Sequence, residues 1–194
     1  MIAAGCGGTH HAQRASSTAP LDRLHGLVAQ PLPVKPSFTL TDTAGRPFDF
    51  TARTRDKLTY LYFGYTHCPD FCPTTMADIA RALRHVQPAV RRRVEVVFVT
   101  VDPRRDTGPV LRTWLGHFDR SFIGLTGSER KIRAVEKAAG IPLAPPEKVR
   151  GANYAVQHSS LVLPYSPDGR AHVVYAQGFH SSDYAHDMPL LLHY

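Results

Sequence analysis

The chain has 194 residues and a formal charge of +7, a length that suits one domain with a good core and excludes two large ones. Its basic residues are scattered over Arg53 and Arg55, Arg91 to Arg93, and Arg104 and Arg105. With no basic stripe interleaved with aromatics, no nucleic acid is expected, although such a surface suits an anionic partner or membrane surface. No run of about 18 apolar residues is present, so no helix is expected to span a membrane.

In chain order, Met1 to Gly8 reads MIAAGCGG. Small residues leading to Cys6 resemble the tail of a bacterial lipoprotein signal, whose cysteine is lipidated after cleavage. Ala3 stands where leucine is usual, and the charged and apolar part of such a signal does not precede it. The alternative is a free cysteine in a tail. From Thr9 to about Pro36 the chain is rich in Ala, Ser, Thr, Gln and Pro, a composition that builds no core and is expected to be tether. His10 and His11 read as polar residues of that tether, since a metal site needs several converging ligands. The expected division is therefore 1–36 as lipoprotein-type start and tether, and 37–194 as the folded domain.

Phe38, Leu40, Phe48 and Phe50 alternate about Ala44 and Gly45, which predicts a hairpin. Leu58 to Gly64 predicts a buried strand that empties into a loop with Cys68 and Cys72, and Pro73 is expected at the first position of the next helix. That would set one cysteine at a helix mouth, where unpaired N–H groups and the dipole favour thiolate. Met76, Ile79, Leu83 and Val86 give that helix its apolar face, and Pro88 is expected to close it. Val94 to Val101 predicts a second buried strand. A helix over Thr107 to Phe118 would bury Val110, Leu111, Trp114, Leu115 and Phe118. A short strand follows at Phe122 to Thr126, then a helix from Ser128 to Ala139 ended by Gly140. After a loop with Pro142, Pro145 and Pro146, Tyr154 to Leu163 and Ala171 to Tyr175 read as strands joined by SPDG. A last helix starts near Ser181, capped by serine or aspartate. Strands alternating with helices predict an α/β layer with a mixed sheet.

The chemistry concentrates at CPDFC. Structural zinc usually takes four ligands, commonly in two close pairs, and there is no second pair. As a structural disulfide, Cys68 and Cys72 would close only a tiny loop and constrain little. That leaves exchange chemistry or a soft metal. Two thiolates with one imidazole suit Cu(I), with Cu(II) also open. His158, in YAVQHSS before the apolar LVL, is the best-placed imidazole; its other reading is a hydrogen-bonded cap of a strand entrance. Asp102, in VDPRRDT, either hydrogen-bonds a ligand or caps the turn begun by Pro103. His67 adjoins Cys68 but is not taken as a ligand, and His180, His186 and His193 lie too far downstream to place.

CPDFCP after YLYFGYTH, then VTVDPRRDT, FIGLTG and YAVQHSS followed by SPDG, resemble in that order the Sco/SenC family of copper-handling thioredoxin-like proteins. The resemblance runs from about Phe38 to the last helix. It implies a thioredoxin-like α/β fold, three layers α/β/α with a mixed central sheet and an N-terminal hairpin. The histidine loop would lie where thioredoxins keep a cis-proline. It implies copper ligands at Cys68, Cys72 and His158, and a disulfide between Cys68 and Cys72. Gln157 departs from the family, which commonly has Asp before the histidine; an aspartate there could orient or tune the imidazole. The resemblance also implies a monomeric metallochaperone that passes copper to the dinuclear centre in the copper-site subunit of a terminal oxidase, loaded by a donor the sequence does not identify. With Cys6, it implies an extracytoplasmic place on the outer face of a bacterial cell membrane, held by a lipid anchor. The competing function is a thiol–disulfide oxidoreductase that reduces the cysteines of the oxidase copper site, although redox thioredoxins use CxxC where this chain has CxxxC. A peroxidase fits less well, because Tyr65 stands where peroxiredoxin-like sites place threonine.

Overall fold

The structure, a computed structural model, describes residues 20–143 and 154–194. Cys6, His10, His11, Pro145 and Pro146 lie outside the described residues. The expected tether is corrected at its C-terminal part, where residues 20–36 lie along the domain. A 3-10 turn at Leu21–Arg23 leads to buried Leu24 and to strand β1 (Leu27–Val28), which pairs antiparallel with Val173 and Val174. Ala29 N donates to the His172 carbonyl (3.2 Å) and Lys35 N to that of Gly169 (2.8 Å), while Ala171 N donates to the Pro33 carbonyl (2.9 Å). Gly26 is needed for this approach, since a Cβ there would stand 2.7 Å from Val173 Cγ2. Composition averaged over a polar segment hides these few apolar residues.

The hairpin is formed by β2 (Thr39–Asp42) and β3 (Pro47–Asp49), with Gly45 at φ 79° in the turn. Phe50 leaves the hairpin and opens a short helix, α1 (Phe50–Arg53), because the Asp49 side chain accepts from Ala52 N and caps it. β4 (Leu58–Gly64) is buried along its whole length. α2 (Phe71–His85) follows, two residues earlier than Pro73 led us to expect. Proline is tolerated at the third position because the first four N–H groups of a helix have no partner within it. Pro88 does more than close α2, since it begins α3 (Pro88–Arg91). β5 (Val94–Thr100), α4 (Gly108–Gly116), β6 (Ile123–Thr126) and α5 (Glu129–Ala138) follow. Within α4, Val110 is 38 % exposed and does not join the core. The strand expected from Tyr154 is confined to β7 (Val162–Tyr165), where β4 supplies its partner; β8 (Val173–Val174) and α6 (Ser181–Leu191) complete the chain. His180 precedes α6, and its N–H donates to Asp183 Oδ2 (2.9 Å).

The six-stranded sheet has the order β3-β2-β6-β5-β4-β7. β4, β5 and β6 are parallel, and β7 and β2 flank them antiparallel. Alternate side chains of β4 serve two cores. Leu58, Tyr60 and Tyr62 meet Met76, Ile79 and Leu83 of α2, Leu111 and Leu115 of α4, and Tyr184, Met188 and Leu191 of α6. Leu61 and Phe63 meet Phe48, Phe50 and Ile132 and Val135 of α5. Helices on both faces of a mixed sheet give the expected α/β/α layers. Each large side chain so buried contributes about 1.5–3 kcal/mol, which is why the centre of the sheet holds rigidly the loop that leaves its end.

Candidate metal centre

Beyond Gly64 the chain turns toward α2, and Cys68 N closes the turn on the Tyr65 carbonyl (3.2 Å). Asp106 anchors this loop. Fully buried, it accepts from Thr66 N (2.9 Å), Thr66 Oγ1 (2.6 Å) and Thr100 Oγ1 (2.6 Å) at the end of β5. Hydrogen bonds to a carboxylate are roughly twice as strong as neutral ones, so Asp106 fixes the Cys68 approach against the sheet. His67 is turned to the same aspartate, with Nδ1 3.8 Å from Asp106 Oδ1.

Cys72, the second residue of α2, lies on its buried face with no exposed surface, and Cys68 is 8 % exposed. Tyr62 Oη donates to Cys72 Sγ at 3.6 Å. Burial pushes the Cys72 thiol up to about 12, although the Tyr62 hydroxyl and the Tyr65 backbone work against the rise. The expectation of a thiolate at the helix mouth is therefore reversed for Cys72, because loss of solvent outweighs the helix N-terminus. Both cysteines are free thiols here. Gly64 makes room for the sulfur: a Cβ at that position would lie 2.7 Å from Cys72 Sγ.

His158 arrives from the segment before β7. Its Nε2 stands 3.6 Å from Cys72 Sγ, and Nδ1–H donates to the Ser159 carbonyl at 2.9 Å. That bond selects the tautomer with its lone pair on Nε2, facing the sulfur. Burial lowers the pKa of His158, offset in part by backbone contacts at Ser159 and Phe63, and so favours the neutral ring. Tyr65 and Tyr62 meet the imidazole edge-on, with centroids 5.4 and 6.3 Å away. Gln157 is exposed; the orienting contact expected of an acidic neighbour is made by the Ser159 carbonyl. One ligand atom each from Cys68, Cys72 and His158 lie within 4.8 Å of one another. Metal–ligand bonds of about 2.0–2.3 Å spread neighbouring donors over about 3–4 Å, so the three need close only slightly on an ion, and their softness suits copper.

Asp102 turns out to hold the histidine segment. It is buried, its Oδ1 accepts from Tyr154 Oη (2.7 Å), and its Oδ2 pairs with Arg105 Nε. The Arg105 guanidinium lies 3.5 Å from the centroid of Tyr154 and 5.6 Å from that of Tyr65. Sequence reasoning gave no role at the site to Gly64, Arg105, Asp106 or Tyr154. Arg105 and Asp106 lie within the VDPRRDT motif itself, which was the available signal. Gly64 offered only a glycine at a strand end.

The family model described as SCO1/SenC matches residues 28–192. A Stutzerimonas stutzeri protein named provisionally for copper binding is 36 % identical over 140 residues, 71 % of this chain and 68 % of its own length. Protein SCO2, mitochondrial, of Saccharomyces cerevisiae is 32 % identical over 153 residues, 78 % of this chain but 49 % of its own. Among solved structures, Bradyrhizobium japonicum ScoI with copper bound is 30 % identical with a TM-score of 0.69, covering 80 % of this chain and 98 % of that one. Yeast Sco1 with copper bound is 25 % identical with a TM-score of 0.72, covering 81 % and 87 %. With a match that spans the later part of the strap, both core faces and all three clustered residues, the chain belongs to the SCO1/SenC family.

Proposed function

We propose that this protein is a copper metallochaperone that carries Cu(I) on Cys68, Cys72 and His158 and delivers it to the dinuclear copper centre of a terminal oxidase. The observation that carries this reading is the convergence of two thiols with a neutral imidazole whose free nitrogen faces the sulfur. Two relatives of the same fold are described as copper-bound, which supports copper as the cargo. Loading displaces the thiol protons to solvent as copper–sulfur bonds form. Delivery is ligand exchange: a thiolate of the acceptor replaces one donor at a time, and the released cysteine is reprotonated. A buried Cys72 whose thiol strongly holds its proton assists that last step.

The test is Cu(I) titration of the reduced protein against a competing chelator, comparing the parent with His158→Ala and Cys72→Ser. One tightly bound copper, severely weakened by each substitution, is expected. Binding that survives loss of His158 would reject the three-donor site.

Proximity of the two thiols also supports a second activity, reduction of the acceptor's copper-site disulfide. Two electrons would pass to the partner as the Cys68–Cys72 disulfide forms and the acceptor disulfide breaks, and the two thiol protons end on the acceptor's reduced sulfurs. Exchange would begin at Cys68, the less buried sulfur, with Cys72 resolving. We further propose lipidation at Cys6 and a monomeric, extracytoplasmic protein at the outer face of a bacterial membrane. The mass of the N-terminal peptide of membrane-extracted protein checks the lipid.

A further inference from the structure

Away from the cysteines, the strap and α6 bring a second set of donors together. His25 and His186 stack face to face with centroids 3.9 Å apart and an interplanar angle of 10°. Each imidazole is matched to a carboxylate: His25 Nδ1 lies 2.9 Å from Asp183 Oδ1, and His186 Nδ1 lies 2.8 Å from Asp187 Oδ1. Asp183, His186 and Asp187 share one side of α6 through their three- and four-residue spacings. Asp187 is fully buried and accepts from the backbone N–H groups of His25 and Gly26 and from Tyr175 Oη, which fixes the strap against the helix. Ligand atoms of His25, His186 and Asp187 lie within 4.8 Å of one another.

We propose that His25, His186 and Asp187 form a second metal site, for a borderline divalent cation such as Zn(II), with Asp183 orienting His25. Donors at 2.0–2.2 Å from one tetrahedral ion stand about 3–3.5 Å apart. The His186–Asp187 spacing is already close to this, whereas two nearly parallel stacked rings do not aim both lone pairs at one ion; one imidazole must turn out of the stack to bind, which side chains 46 and 42 % exposed are free to do. Imidazole nitrogen and carboxylate oxygen select Zn(II) or Cu(II) class ions and disfavour Cu(I), which prefers the thiols. Any imidazole proton displaced by the ion passes to solvent. A metal there staples the strap to α6, and the site stands independently of the reading of Cys68 and Cys72.

The test is Zn(II) titration by calorimetry of the full chain carrying Cys68→Ser and Cys72→Ser, so that thiols contribute nothing, with thermal unfolding in parallel. One zinc per chain and a raised unfolding temperature are expected. Adding His25→Gln with His186→Gln should lower affinity at least about a hundredfold, and Asp183→Asn about tenfold, as for other groups that orient a ligand. No zinc uptake at 100 µM on the order of the free ion, or binding that survives loss of both histidines, overturns the proposal. Should the serine substitutions unfold the chain, the cysteine-intact protein is compared with its His25→Gln, His186→Gln variant, and a difference of one zinc per chain is expected.

Discussion

His158 Nε2 lies 3.6 Å from Cys72 Sγ across 86 residues of sequence. The imidazole is turned there by the carbonyl of its own neighbour, Ser159, while the sulfur is fixed on the buried face of α2. Neither group depends on the other for its orientation, so the donor pair is preorganised.

Copper affinity should rise steeply with pH. Cys72 holds its proton up to about 12, so copper must displace it throughout the physiological range. Each pH unit then strengthens binding about tenfold through this residue alone. Cys72→Ser should reduce the slope of log affinity against pH by about one, measured by chelator competition between pH 6.5 and 8.5 at roughly half-unit steps. His158, whose pKa is lowered by burial, should add no slope in that range.

Gly64→Ala should harm the site and the fold together. The added methyl would meet Cys72 Sγ at 2.7 Å and the Tyr62 ring at 2.8 Å, and overpacking of this kind costs about 1–3 kcal/mol. Urea unfolding should show that loss, and Cu(I) competition should show weaker binding. Unchanged values for both would mean that the strand end gives way freely.

Tyr154→Phe removes the hydroxyl that Asp102 holds at 2.7 Å. The cost to stability should be about 0.5–1.5 kcal/mol, the range for one hydrogen bond. Copper affinity should fall about tenfold, as expected when an outer support of a ligand is lost. Asp102→Asn should weaken binding in the same direction. A double-mutant cycle on copper affinity should be non-additive, because the two share the Tyr154–Asp102 contact, while Asp102 also pairs with Arg105.

Lys35 gives the stability a distinct pH dependence. Its Nζ donates to the Thr54 carbonyl (2.8 Å) and Thr59 Oγ1 (3.1 Å), and burial lowers its pKa to about 8, against a smaller opposing pull from Asp56. Between about 8 and 10.5 the unfolded chain holds this proton more firmly than the folded one, so its contribution to stability rises with pH in that window. Cys72 acts oppositely above its ordinary value of 9.0, since the folded form keeps the proton that the unfolded form loses. The difference in urea midpoint between the parent and Lys35→Met isolates the lysine. It should move in the parent's favour from pH 7 to pH 9.5, in steps of roughly half a unit.

The core of the sheet was legible because β4 and β5 are continuous apolar runs, and α2, α4 and α5 carry helical spacing. Cys68, Cys72 and His158 could be named from sequence because their motifs occur in a recognisable order. Local pattern failed where a partner distant in sequence decides the structure. The strap at 20–36 is fixed by β8 and α6, and β7 begins only where β4 offers a ladder. Cys72 shows the same limit: helix position predicts a thiolate, and burial by Tyr62 and the adjoining core reverses it. Asp106 escaped notice because its partner Thr66 lies 40 residues away.

The pairing of β7 with β4 also has a temporal consequence. His158 stands just ahead of Val162, which is brought to Tyr62 by that pairing, while both cysteines belong to a strand–loop–helix unit completed much earlier in the chain. During synthesis the thiols emerge long before the imidazole, and the long-range closure that delivers it is a slow class of contact. A chain still folding offers an ion two sulfurs without their nitrogen, so occupancy of all three donors is a property of the finished molecule.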